Sequence, residues 1–384
     1  MKKILLLALC ALLPLAAVAQ NASEQEQLDE YDLWRAVRSG DDDGAFRAVG
    51  KLLFAKTKTV EADDSKIIKI PHGQQWLTQR IMPVQYRGKT VKRITISNYR
   101  VGEVERAFKK QNPDDNNNTA LIYLVDNINV RLIRELLALP DMSGRPVDIG
   151  VNVKDRDENT PLCHIASMET SEFGQERAEI FNLLVPRTKN VKEMTCATTQ
   201  TFMTQNFSTR KPLFWFVVNN MHNLNIAREL YNSDPAYYQR VIAQSKTNFL
   251  RLALRNKDYK LAERLVNAGH FISLNAGVMD ASPILLAIGA NDNLALFKKM
   301  LGNLRAKDVE DGKGTPLAMA LMDEEEPFKL YVNRLAQLDT SGRNTYVCDI
   351  ITSTAEDGRG SFCKLAGEEQ KLHVSWQCGR FRCQ

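Results

Sequence analysis

Along most of this chain, apolar positions recur at the spacing of short helices, with tight polar turns between them. The runs TALIYLVDNINVRLIRELL around Leu121, FLRLALRNKDYKLAERLVNAG around Leu250 and SPILLAIGANDNLALFKKML around Ile284 each hold two such helices about a polar break. LWRAVRSGDDDGAFRAVGKLL around Leu33 fits the same frame. PLCHIA around Leu162, KPLFWFVVNN around Leu213 and GTPLAMALM around Leu317 each carry the first helix of a similar pair. Apolar residues three and four apart share one helix face. A single pair cannot bury that face alone, so the recurrence predicts a stack of neighbours. The anchors Leu250, Ile284 and Leu317 lie 34 and 33 residues apart. The earlier steps of 41 (Leu121 to Leu162), 51 (Leu162 to Leu213) and 37 (Leu213 to Leu250) are longer, which predicts insertions in loops.

The fullest signal is Val151–Ala166, VNVKDRDENTPLCHIA. Val151 and Val153 alternate with Asn152 and Lys154, and Asp155 to Asn159 form a charged turn. Thr160 can accept from the free N–H groups of a helix that opens at Pro161, where a missing donor costs nothing. Leu162, Ile165 and Ala166 then share a face. This stretch resembles the turn and first helix of an ankyrin repeat, and the 33–34-residue steps are similar to that family's period of about 33. The resemblance covers most of the chain after residue 19. It is strong at Thr160–Ala166, Leu250–Gly269 and Thr315–Ala320, and loose at Leu213, where no threonine precedes the proline.

The resemblance implies a mainly α fold, a solenoid of helix-turn-helix units with a capping repeat at 20–53 and further repeats over 114–338. Its members recognise proteins through turn tips and the exposed side of the first helices. On this chain, that implies contacts from Lys154, Arg156, Asn220, Lys257 and Asn291. Cys163 stands where the family usually has a histidine that bonds to the turn.

Two regions leave the repeat frame. Residues 54–113 hold a basic insertion and a degenerate repeat. Ten Lys or Arg lie between Phe54 and Arg100, against Glu61, Asp63 and Asp64. MPVQYRGKTVKRITIS alternates on either side of Arg87-Gly88-Lys89 and predicts a β-hairpin insertion, and VGEVERAFKK returns to helical spacing. The basic run reads as a solvated insertion, or alternatively as a positive patch for an acidic partner. The polar stretch Thr188–Arg210 predicts an extended excursion. Beyond Leu338 begins a cysteine-rich extension, 339–384, in which NTYVCDIITST and KLHVSWQC look strand-like and predict a strand-rich C-terminal cap over the stack.

Met1–Ala19 has two lysines, a leucine-rich run and Ala17-Val18-Ala19, the layout of a cleaved bacterial secretory signal that leads to the periplasm or beyond. Cys10 follows Leu9 inside the apolar run, a poor context for lipidation. Removing the signal lowers the formal charge from +5 to +3 (5 − 2), too mild an excess to imply nucleic acid. Export changes how the cysteines read. Cys348, Cys363, Cys378 and Cys383 become disulfide candidates with three possible pairings, ahead of a zinc site for which no paired CxxC exists. Cys163 and Cys196 either pair or leave Cys163 as a buried thiol.

No catalytic motif accompanies this pattern. Cys163 and His164 are helix neighbours pointing about 100° apart rather than at each other, and Asp155, Asp157 and Glu158 suit an ordinary acidic turn. The aromatic run Phe214–Phe216 suits inter-repeat core. We therefore expect a non-enzymatic, monomeric scaffold without cofactor, metal or transmembrane segment, exported to the bacterial envelope as an adaptor for another exported protein. The alternatives are a periplasmic inhibitor or immunity protein that neutralises a toxin, and a secreted effector acting on a host protein.

Overall fold

The structure, a computed structural model, describes residues 30–55, 59–61, 81–86, 89–95, 98–99, 101–139, 146–168, 173–202, 205–270, 282–340, 345–353, 377–378 and 381–382. It is mainly helical and divides into two compact units, Met1–Met221 and His222–Gln384. The expected signal at 1–19 lies outside the described residues, as do Cys363 and Cys383.

The first unit begins with α1 (30–39) and α2 (Asp42–Leu53), which bury Leu33, Ala36 and Val37 and then Ala45, Ala48, Val49 and Leu52. After α2 the chain leaves the helical layers and returns as α3 (Val101–Lys109), which packs on α2. The backbone of this excursion forms a three-stranded antiparallel sheet with Lys89–Thr95 between Thr59–Glu61 and Ile81–Tyr86, in a register that sets Tyr86 opposite Lys89. Phe54–Ala55 pairs with Asn98–Tyr99, so the excursion closes where it opened.

Among the described residues this unit also holds α4 (Ala120–Asp126), α5 (Val130–Ala138), α6 (Pro161–Ser167), α7 (Gly174–Leu184) and α8 (Leu213–Asn219). α4 packs on α6 and α6 on α8, while α5 packs on α7, giving two helical layers. The first-layer helices start as their sequences require. The Thr119 hydroxyl accepts from the Ile122 N–H at 3.3 Å, and the Thr160 hydroxyl from the Cys163 N–H at 3.4 Å, with Pro161 opening α6. Leu121, Leu162 and Leu213 are all buried.

The second unit repeats this construction. It holds α9 (Leu224–Ser233), α10 (Pro235–Ser245), α11 (Phe249–Arg255), α12 (Tyr259–Asn267), α13 (Ser282–Asp292), α14 (Leu294–Gly302), α15 (Thr315–Leu321), α16 (Glu325–Leu338) and α17 (Thr345–Ser353). α11, α13 and α15 pack in succession, and α12, α14 and α16 form the second layer. A cap recurs at the start of the second helices. Asn129, Asn223, Asp258 and Asn293 each accept from a backbone N–H three residues on, at 3.0 to 3.1 Å. The N/D-x-x-L/I pattern behind it recurs at 35-residue steps from Asn223 to Asp258 to Asn293, a regularity that the apolar anchors alone do not capture.

Three expectations need correction. The extra length between Leu213 and Leu250 is a helix, α10, started by Asp234, whose carboxylate accepts from the Tyr237 N–H, and by Pro235, so the insertion is not a loop. Ile284 is not a core anchor: it is 57% exposed, while its neighbours Leu285 and Leu286 are buried. α13 is apolar nearly all round, and such a helix offers no polar face from which to set its phase. Finally, the strand-like TYVCDIITS is α17, packed on α15 and α16. Val347 and Ile350, one helical turn apart, are buried together, and tertiary burial overrides the strand preference of the β-branched residues. Strand geometry in the tail is described only for Gln377–Cys378 and Phe381–Arg382, which pair antiparallel.

Because Leu162 is fully buried between stacked helices, Leu162→Ala should lower unfolding free energy by about 2–5 kcal/mol, read by urea titration. Asn293→Ala, which removes only the α14 cap, should cost about 1 kcal/mol in the same assay.

Candidate partner-binding turns and the His164 clamp

In the first unit three polar turns form a row, each tied to the next. The first connects Gln111–Asn112 to Asn118–Thr119, with Asn116 and Asn117 at positive φ, a conformation that asparagine tolerates. The second is Lys154–Asn159. Its Arg156 N–H donates to the Asn116 carbonyl at 2.8 Å, and its guanidinium donates to the Pro113 carbonyl at 2.9 Å. The Asn116 amide reaches both Asp155 and Asp157. The third element is the antiparallel hairpin of Thr195–Phe202 and Gln205–Pro212. Its Ala197 N–H donates to Asn159 Oδ1 at 2.8 Å, and the Arg210 guanidinium donates to the carbonyls of Asp157 (2.7 Å), Glu158 (3.2 Å) and Thr195.

Beneath the middle turn lies a three-residue charge cluster. His164, on α6, sits between two carboxylates. Its Nδ1 lies 3.1 Å from Asp126 Oδ1, at the end of α4, and its Nε2 lies 2.9 Å from Asp155 Oδ2, in the turn. The Asp155 side chain is almost wholly buried, and its other oxygen accepts from the Asn159 N–H at 2.8 Å. Burial by itself would lower the His164 pKa, but the bonds to Asp126 and Asp155, with their charges, outweigh it and raise the value to about 9. At neutral pH the ring is therefore an imidazolium donating from both nitrogens. It joins two helices and a turn, and its neighbour carries a different bond. Cys163, on a different face of α6, is disulfide-bonded to Cys196, with 5.4 Å between their Cα atoms. Of the two options left open by the sequence, the pair is the one formed, and it ties the hairpin to α6. Cys348 is also disulfide-bonded.

The five residues expected to contact a partner fall in both units. Lys154 and Arg156 are exposed on the middle turn. Lys154 pairs with Glu158 at 2.7 Å, and that bond holds the Glu158 carboxyl below the usual carboxylate range. Asn220 is half-buried, and its amide donates to the Ser167 carbonyl at 3.1 Å, which makes it a brace on the end of α6 rather than a free tip. In the second unit Lys257 and Asn291 are exposed. Lys257 reaches Asp292 at 3.1 Å, and Asp292, which also accepts from the Tyr259 hydroxyl, is held acidic by both partners. Phe214 and Phe216 are core, as expected, while Trp215 is half-buried.

A shallow polar notch of about 440 Å³ lies in the second unit, lined by His222, Asn225, Arg228, Asn256 and Asp258 among others. Its cation is neutralised, since Arg228 pairs with Asp258 at 3.1 Å and with the Asn225 amide oxygen at 2.8 Å. Among the described residues, no group of three or more His, Cys, Asp or Glu is placed to hold a metal ion, and no helix is long and apolar enough to cross a membrane.

No protein-family model, curated protein or solved structure matches the chain. The geometry of the turns therefore stands alone as the guide to function. What it offers is a row of short polar loops with charged side chains outward and their backbones bonded inward.

Because the His164 pKa is higher in the folded state than its ordinary 6.5, its stabilisation is complete below about pH 6.5 and disappears as pH rises through about 9. The full effect is on the order of 3 kcal/mol. Denaturant midpoints measured from pH 6 to 10 should fall across that window and lose that component in His164→Gln. The Cys163–Cys196 bridge closes a span of 33 residues, so the double variant Cys163→Ser/Cys196→Ser should lose roughly 3–4 kcal/mol on loop-entropy grounds.

Proposed function

We propose that the chain is an exported scaffold of the ankyrin-repeat type that binds another exported protein without catalysing a reaction. The observation that carries this reading is the turn row of the first unit. Arg156 and Lys154 project from a turn whose backbone is bonded on both sides, by Asn116 and by Arg210. Loops held in this way lose little conformational freedom on binding, which favours recognition. His164 and Asp155 serve the scaffold: they bond to each other, and Asp155 also bonds to the turn. Two further features support the reading. The helices pack in two layers within each unit, as repeats require, and a disulfide suits an oxidising compartment such as the periplasm.

The test is capture of partners by the tagged mature protein from its native envelope fraction after crosslinking. One stoichiometric partner should be recovered by the native protein, and recovery should fall at least tenfold on Lys154→Glu/Arg156→Glu. The melting temperature of that variant should fall by no more than a few degrees, since the Lys154–Glu158 pair and the Arg156–Pro113 bond that it removes are exposed ones. Undiminished capture by the variant would remove the middle turn from the interface.

A further inference from the structure

The hairpin Thr195–Pro212 is more than a long connection. Its strands pair over eight positions in a two-stranded sheet, from Thr195 opposite Pro212 to Phe202 opposite Gln205. Its base is fixed at several points: by the Cys163–Cys196 disulfide, by Asn159 on the Ala197 N–H, and by Arg210 on the neighbouring turn. A two-stranded ribbon is marginal by itself, so an arm of this length is kept in register by that base.

The phase of its hydrogen bonds follows from the base, where the Leu213 N–H donates to the Met194 carbonyl at 2.8 Å; going up the hairpin from that pair, unbonded pairs alternate with bonded ones. Residues 197, 199 and 201 on one strand, and 206 and 208 on the other, therefore direct their backbone groups outward. The outward bond from the Ala197 N–H to Asn159 agrees with that phase. Among the described residues no further strand pairs with either edge.

Exposed strand edges are normally guarded by charge or proline. Arg210, Lys211 and Pro212 provide such a guard at the base of the second strand. From Thr195 to Thr209 the sequence TCATTQTFMTQNFST has no charged residue, no proline and no glycine. That composition favours strand pairing and sets no charge against an identical strand. An arm built this way is complementary to itself, and pairing about a twofold axis closes with two copies.

We propose that this hairpin is a self-association arm, pairing edge to edge with the same hairpin of a second copy to make a four-stranded antiparallel sheet across a dimer. The occupant is strand-like and uncharged, and the arm supplies that chemistry at equal concentration. This inference does not depend on the turn row being a partner site.

The phase selects the test. Proline at an outward position removes a donor used only by an incoming strand, whereas proline at an inward position breaks the hairpin itself. Light scattering after size-exclusion chromatography of the mature protein, from 1 to 100 µM, should report twice the chain mass at the upper end. The double variant Thr199→Pro/Ser208→Pro, which blocks both edges, should report a monomer at every concentration, with native circular dichroism and an intact Cys163–Cys196 bridge. A native protein that is monomeric throughout, or a double variant that still dimerises, would overturn the proposal. Protection of Thr199 and Ser208 amides from hydrogen exchange by an envelope extract, but not by raising the protein's own concentration, would assign the edge to a different chain and overturn it as well.

Discussion

The fold depends on how very short helices satisfy their ends. α4, α6, α8, α11 and α15 have seven residues each. A helix leaves four N–H and four C=O groups unpaired at its ends, so in a seven-residue helix the unpaired groups outnumber the internal bonds. Such helices do not form alone in water. Here Thr119 and Thr160 cap the starts of α4 and α6, Asn220 accompanies the end of α6, and buried faces on both sides supply the rest. Each helix is stable only because its neighbour is present.

The same dependence explains the surroundings of a carboxylate buried in the first unit, Asp155. A buried carboxylate needs a partner and hydrogen-bond donors. Asp155 obtains both, from His164 and from the Asn159 N–H, and in exchange fixes the turn that lies over α6. His164 stands beside a cysteine that is joined in a disulfide to the hairpin. One helical turn of α6 thus anchors the middle turn through an ion pair and the hairpin through a covalent bond. The exposed parts most suited to recognition are held by the parts least exposed.

Several features of this arrangement were legible in the residues. Thr160-Pro161 marked a helix start, and Leu121, Leu162, Leu250 and Leu317 marked buried faces, because caps and apolar periodicity are local properties. The five suggested contacts were less uniform. Lys154, Arg156, Lys257 and Asn291 are exposed, while Asn220 braces α6 through a carbonyl 53 residues away, a relation no local pattern carries. The His164 clamp was missed for a similar reason: its partners Asp126 and Asp155 lie 38 and 9 residues off, and all three looked ordinary in their own segments.

By itself, then, the sequence determined where several helices begin and which faces they bury, because these follow from hydrogen-bonding ends and from apolar spacing within a few residues. Tertiary structure decided the rest. It chose helix over strand for Thr345–Ser353 by burying Val347 and Ile350 against α15 and α16, and it turned Ile284 outward on a helix with no polar face to set its rotation. It also chose the Cys163–Cys196 pair and the three-way His164 bond. These outcomes join residues that only packing brings together, and their energies arise from burial and charge pairing across elements.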